Sequence, residues 1–313
     1  MSDASANIIT HLILSGGGPS FVQTLGTLEC VFNNHKDVSA IKAIYACSAG
    51  AICAIFFSLL RHNPDVCSWD AIREYIIGRP WEDLFTINAA RIIEAFTSRG
   101  LFNRHTLESV FAPFFDVCNI PLDITLAEFY TIVPIELHFF TFEIHGFKLT
   151  DLSHLTHPTA QLFDALHMTC SLPIFMTPVI YSTGECYMDG GVITNYPLRQ
   201  CLGANVPPQA ILGIKNTYDQ ADKSTRTVTS QSTLFDYFIA FIFRMIDHIK
   251  DPDDIKIPYE IHSPTEYMNI HNVTLSVGSA EMRQKMWAFG EKVARDWLKV
   301  YPTAHSEELV NKP

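Results

Sequence analysis

The sequence predicts an α/β fold in which a mainly parallel central sheet is flanked by helices. Three observations predict it. Ile8–Leu14 is a β-rich run that meets Gly16-Gly17-Gly18, after which Phe21, Leu25, Leu28 and Phe32 recur at helical spacing. Ile41–Cys47 is a second strand and Ala49–Leu60 a second, strongly apolar helix that stops before Pro64. Two strands in immediate succession, each followed by a helix, require a crossover connection, and crossovers join parallel strands.

The remaining elements follow in order. Ser68–Phe115 reads as mainly helical, with amphipathic pieces around Ala71–Ile77, Ala89–Phe96 and His105–Phe115, broken at Gly78-Arg79-Pro80 and Arg99-Gly100. Ile135–Ile144 is a long apolar strand, His145-Gly146 a turn, and Phe147–Leu149 its return. Thr159–Met168 is a helix with Leu162, Ala165 and Leu166 inward. Pro173 and Pro178 frame an extended passage, and Glu185–Met188 leads into Asp189-Gly190-Gly191. Pro197 suits the first turn of another helix, and Ala210–Lys215 is a buried strand. Thr217–Thr233 is an almost wholly polar loop, Leu234–Ile249 is densely aromatic, and Asp251–Pro258 is an acidic, proline-bearing loop. Val273–Val277 is expected as the last strand and Glu281–Val300 as an amphipathic terminal helix. One domain over 1–313 accommodates these elements, with a core at 9–203 and residues 234–313 completing it.

Composition narrows the classes. The chain has 313 residues, 48% of them hydrophobic, and a net charge of −11 from 22 basic and 33 acidic residues. No basic cluster is present, which argues against nucleic acid and against electrostatic docking on anionic lipid, so any membrane contact has to be apolar. No stretch reaches the roughly 20 apolar residues of a membrane span; Ile41–Leu60 comes closest and is interrupted by Ser48 and Gly50. Met1–Asn7 lacks a basic n-region and a cleavage-like site, so no secretory signal is expected. The eight cysteines form no C-x-x-C pair and read as reduced core thiols of a cytosolic-type protein. His154 and His157, near Asp151, have H-x-x-H spacing, but Pro158 follows directly and no further ligand is evident, so a solvated loop is expected and no metal.

Three stretches carry chemistry. Gly16-Gly17-Gly18 opens a helix, where free N–H groups favour negative charge, either nucleotide phosphate or the oxyanion of acyl transfer. The dinucleotide fingerprint fails at Phe21, and no Walker lysine follows. Ala46-Cys47-Ser48-Ala49-Gly50, between strand and buried helix, is one methyl away from the G-x-S-x-G nucleophile elbow. On those five residues alone, an ordinary serine in a tight turn fits equally well. Asp189-Gly190-Gly191 places a carboxylate at a strand end before two flexible residues; taken alone, it fits a plain D-G turn.

Together, Leu14-Ser15-Gly16-Gly17-Gly18, Ser48 within A-C-S-A-G-A, and Tyr187-Met188-Asp189-Gly190-Gly191 followed by Asn195-Tyr196-Pro197 resemble the patatin-like phospholipase family. The passage Asp164–Pro173 with Pro178 is similar as well, and the resemblance extends over roughly Ile9 to Leu298. It implies a Ser–Asp dyad: Ser48 as nucleophile, Asp189 as proton acceptor, an oxyanion hole from the N–H groups of Gly17, Gly18 and Ala49, and Gly16, Gly50, Gly190 and Gly191 as motif glycines. It also implies lipid acyl ester hydrolysis at a membrane or micelle interface through an acyl-enzyme, without a cofactor. Leu234–Ile249, apolar around most of its circumference, fits either a core helix of the domain or an apolar flap by the acyl site that supplies peripheral membrane contact. Ala46 stands in place of the elbow glycine, Phe21 in place of the last glycine of G-G-G-x-x-G, and Ser20 where the family often has Arg or Lys. Two rivals stay open: an α/β-hydrolase with a triad of Ser48, Asp189 and His262 or His271, and an idle patatin fold that binds lipid or a partner.

Overall fold

Polar alternation is absent from the first two strands. His11–Leu14 (β1) and Ala43–Cys47 (β2) are buried at every residue, as expected of strands covered by helices on both faces. The computed structural model describes residues 8–35, 38, 40–218, 228–234, 237–238, 240–242, 244, 255–265 and 270–301, with backbone only at 270–272. Its other elements are α1 (Phe21–Asn34), α2 (Ala49–His62), α3 (Trp69–Gly78), α4 (Ala89–Ser98), β3 (Gly100–Phe102), α5 (Arg104–Val117), α6 (Leu126–Ile132), β4 (Glu136–Glu143), β5 (Lys148–Leu152), α7 (Leu162–Cys170), β6 (Ile174–Met176), β7 (Val179–Ile180), β8 (Cys186–Asp189), α8 (Leu198–Gly203), β9 (Ile211–Tyr218), β10 (Tyr259–Thr265), α9 (Ile270–Gly278) and α10 (Ala280–Val300).

Among the described residues the main sheet has eight strands, paired β10-β9-β1-β2-β4 and β4-β8-β7, with β2 and β8 end to end on one edge of β4 and β5 on its other edge. Pairing is parallel from β10 through β4 and antiparallel around β4, β5, β8 and β7. Fully buried phenylalanines fill one face, where Phe56 of α2 meets Phe111 of α5 at 4.6 Å between ring centroids and Phe111 meets Phe163 of α7 at 5.8 Å. The other face buries Tyr45, Phe140, Leu198 and Cys201.

Two expectations fail at the C-terminal end. Val273–Val277 is helical and lies within α9, not in a strand. Its β-branched residues suggested a strand, but Val273 and Val277 sit one turn apart and both line an apolar cavity, and such tertiary packing outweighs weak propensity. The last strand is β10, hidden in sequence because Glu260, His262 and Pro264 interrupt its apolar pattern. His262 therefore lies on the edge strand, where proline is tolerated too. Residues 219–227, most of the expected polar loop, lie outside the described residues.

The terminal helix seats directly on α1. Thr27 Oγ1 donates to the Gly290 carbonyl at 3.1 Å, and Trp287 Nε1 donates to Glu29 Oε2 at 2.7 Å. A Cβ at Gly290 would collide with the Gln23 carbonyl oxygen. Alanine at 290 gains about 1 kcal/mol of helix propensity, but overpacking a helix crossing costs about 1–3 kcal/mol. Gly290→Ala is therefore expected to destabilise the protein, read as a lower urea midpoint. An unchanged or higher midpoint would show that the two helices do not cross this closely.

Candidate active site

β1 and β2 are parallel neighbours with Leu14 opposite Ala46, so the glycine run after β1 and Ser48 after β2 emerge side by side at the carboxyl edge of the sheet. Ligand sites of open α/β sheets lie at this edge. Gly50 passes so close to the Leu14 carbonyl that a Cβ there would clash, which explains the glycine on the far side of the elbow.

Asp189 arrives from the opposite direction. On one edge of β4, β2 runs parallel as far as Cys47 opposite Phe140, and β8 runs antiparallel as far as Asp189 opposite Thr141. The other edge at these residues is taken by β5. The two strands thus meet head-on at adjacent β4 residues, and both must leave the sheet there. Ser48 leaves with φ 51 and ψ −127, a left-sided conformation that non-glycine residues rarely adopt. Asp189 leaves through Gly190 and Gly191 in a short 3-10 turn, with Gly190 passing against the Phe140 carbonyl.

Hydrogen bonds lock both departures. Thr169, at the end of α7, accepts from the Ser48 N–H at 3.0 Å and donates to the Phe140 carbonyl at 2.6 Å. Asp189 is only 2% exposed. Its Oδ1 accepts from the Gly191 N–H at 2.8 Å and from the Cys47 thiol at 3.7 Å. Burial lifts the Asp189 pKa from 3.8 to about 6, against the Ser48 hydroxyl, the Gly191 N–H and Cys47, which favour its charge. Burial also pushes the Cys47 thiol well up, so it stays a protonated donor.

Ser48, Gly18 and Ala49 line an apolar cavity of about 180 Å³ with Phe21, Phe102, Phe175 and Val273. Among the described residues, no hydrogen-bond acceptor is found for the N–H groups of Gly17, Gly18 or Ala49. Gly17 itself does not reach the cavity wall. Gly18 has φ 53, which suits glycine, and the Gly16 N–H is tied to the Asn195 carbonyl at 3.0 Å. Arg283 of α10 lines the cavity too, but all its donors go to the carbonyls of Ile77, Arg79, Ser276 and Val277, so it clasps the ends of α3 and α9.

Sequence reasoning singled out Ser48, Asp189 and the glycines, and these converge. It missed two contributions. Thr169 sits in the motif-like passage Asp164–Pro173, yet nothing in a single sequence says that its hydroxyl reaches Ser48. Phe21, read as a helix residue and as a departure from the glycine pattern, is cavity wall. Of the two proposed triad histidines, His262 does not join the site. His262 lies on β10, separated from β2 by β9 and β1, and its Nε2 pairs with Glu260 at 3.0 Å; the side chain of His271 lies outside the described residues. Asp151 bonds His138 at 2.8 Å and His154 stacks on Tyr130 at 3.8 Å between ring centroids. Among the described residues no cluster of three metal-ligating side chains forms.

A strained serine after a strand, a buried aspartate beside it and the Gly18 and Ala49 backbone at an apolar cavity thus sit together at the carboxyl edge of an α/β sheet. The model of the family described as "Patatin-like phospholipase" matches residues 12–202, and the chain belongs to that family. It is 25% identical over 238 residues to an uncharacterised protein of Acanthamoeba polyphaga mimivirus, covering 75% of each chain. It is also 25% identical over 190 residues to a protein of Invertebrate iridescent virus 6 named "probable lipid hydrolase", covering 60% of this chain and 61% of that one. Among solved structures, VipD from Legionella pneumophila shares the fold with a TM-score of 0.54 at 15% identity, over 94% of this chain and 67% of VipD.

The buried carboxyl makes a stability prediction. An acid whose folded pKa is raised adds stability below its unfolded value of 3.8 and loses it as pH rises through about 6. A shift of about two units corresponds to roughly 3 kcal/mol at most. Asp189→Asn is expected to be more stable than wild type at pH 8, by about 1–3 kcal/mol, with the gap closing near pH 4. Urea melts at the two pH values measure this; an asparagine variant no more stable at pH 8 would contradict the cost of burying this charge.

Proposed function

We propose that the protein hydrolyses carboxylic esters of lipids, phospholipids or related glycerolipids, with Ser48 as nucleophile and Asp189 as proton acceptor. The observation that carries this reading is the head-on meeting of β2 and β8, which brings a buried aspartate beside a strained serine that itself lines an apolar cavity. Family membership supports it, as does the similarity to a viral protein named as a lipid hydrolase. The cavity suits an acyl chain, and its apolar wall lowers the local dielectric and strengthens polar interactions there.

As Ser48 Oγ bonds the ester carbon, its proton passes to the Asp189 carboxylate, and the carbonyl π electrons move onto oxygen. The N–H groups of Gly17, Gly18 and Ala49 hold that oxyanion, aided by the N-terminus of α2. Collapse breaks the ester C–O bond, and the leaving alcohol takes the proton from Asp189. Water then attacks the acyl-serine, Asp189 again accepts and returns the proton, and the fatty acid leaves. Aspartate at its ordinary pKa is a weak base; at about 6 it is better matched to neutral pH.

Labelling with a fluorophosphonate is expected for wild type and absent in Ser48→Ala. Folded wild type that takes no label would instead favour the idle fold. Ester hydrolysis is expected to rise with pH through about 6 and then level off, because the base works only as the carboxylate; a flat profile from pH 5 to 8 contradicts that role. Replacing His262 and His271 by Ala is expected to leave hydrolysis intact, and loss of activity in either would restore the triad.

The described residues of the aromatic stretch support contact with a lipid surface. Leu234, Tyr237, Phe238 and Phe241 are all exposed, while Ala240 is buried. No helix among the described residues is long and apolar enough to cross a membrane. Phe238→Asp with Phe241→Asp is expected to reduce cosedimentation with phosphatidylcholine vesicles while a soluble fluorophosphonate still labels Ser48. Unchanged sedimentation would rule this surface out.

A further inference from the structure

The donors of the proposed oxyanion hole belong to peptide units whose carbonyls the protein grips from behind. The Gly16 carbonyl accepts two side-chain amides, Asn195 Nδ2 at 3.1 Å and Asn216 Nδ2 at 3.0 Å. The Gly17 carbonyl accepts Ser20 Oγ at 3.0 Å and the Ser20 N–H at 3.2 Å. In a trans peptide the C=O and the following N–H point in opposite directions. Fixing the Gly16 carbonyl therefore fixes where the Gly17 N–H points, and fixing the Gly17 carbonyl fixes the Gly18 N–H.

The grip is built into rigid parts of the fold. Asn216 lies on β9, two residues past Ile214, which pairs with Leu14 of β1, so it stands beside the glycine run as the chain leaves β1. It is 7% exposed. Its backbone N–H is held by Ser15 Oγ at 2.7 Å, and its Nδ2 also donates to Ser20 Oγ at 3.0 Å, so one amide nitrogen serves both grips. Asn195 comes from the other side, after the turn that carries Asp189, and its own carbonyl holds the Gly16 N–H at 3.0 Å. Ser20, the residue standing where relatives often carry a cation, thus works here as a hydrogen-bonded link between Asn216 and Gly17.

We infer that Asn195 and Asn216, with Ser20 between Asn216 and the Gly17 carbonyl, are positioning residues that pre-aim the Gly17 and Gly18 N–H groups at the oxyanion. Neither asparagine lines the cavity, so they act through the glycine loop and not on the acyl group. Pre-aimed donors gain their advantage in the transition state, where charge develops, and little in the ground state. The inference rests on the ester-hydrolase reading of Ser48 and Asp189.

Asn195→Ala, Asn216→Ala and the milder Ser20→Ala test it, with rates expressed per site titrated by fluorophosphonate, so that unfolded protein does not count. Each asparagine variant is expected to lower kcat about 10- to 100-fold, and Ser20→Ala less. KM is expected to stay within about 2-fold. Affinity for a lipid trifluoromethyl ketone, whose adduct carries an oxyanion, should fall in step with kcat, while affinity for a non-hydrolysable ether lipid stays put. Variants whose kcat per titrated site stays within about 2-fold of wild type overturn the inference. Ketone and ether-lipid affinities falling together overturn it as well, because that is the mark of a merely structural role. Should wild type react with neither probe nor ketone, the hydrolase reading falls and this inference with it.

Discussion

Strand β4 is the template on which the rest of the site depends. One of its edges carries two strands end to end, one parallel and one antiparallel, with Cys47 opposite Phe140 and Asp189 opposite Thr141. Adjacent residues of a strand are about 3.3 Å apart. Two chain ends brought that close cannot both continue in the sheet. The strain at Ser48 and the glycine pair after Asp189 are the two ways out of the same collision. The Phe140 carbonyl sits at the junction and takes the Thr169 hydroxyl, which in turn holds the Ser48 N–H.

The same junction sets the chemistry. It lies under α7 and beside α2, so Asp189 is buried while its carboxylate keeps only a few donors. Desolvation wins over those donors, and the acid becomes a stronger base. A carboxylate held this way weakens the fold at neutral pH, and the surrounding aromatic core offsets that cost. The C-terminal helices contribute to the cavity from far along the chain. Arg283 clasps the ends of α3 and α9 by their carbonyls, placing a buried cation at two helix C-termini, where it is favourable. Val273 and Val277 reach the cavity from the second of these helices.

Much of the fold was legible because its signals are local. The first two strand–helix units announce themselves by apolar runs of different period, and Gly50 by the tightness of the turn after Ser48. The strand from Ile135 and the return after Gly146 were visible for the same reason. The C-terminal part was not. The residues Glu260, His262 and Pro264 disguise a strand whose place is decided by pairing with β9, and Val273–Val277 is a helix because it packs on the cavity, against its β-branched composition.

The sequence alone singled out Ser48, Asp189 and the glycine run as candidates, since the three motifs in order carry the chemical pattern. What only the tertiary structure decided is how they meet. The antiparallel turn of β8 onto β4 brings Asp189 to a serine 141 positions upstream. Burial then tunes its pKa, and Thr169, Asn195 and Asn216 reach their hydrogen-bond partners only once distant strands lie side by side. A hydrogen bond between residues far apart in the chain leaves no local periodicity, so no single sequence can display it.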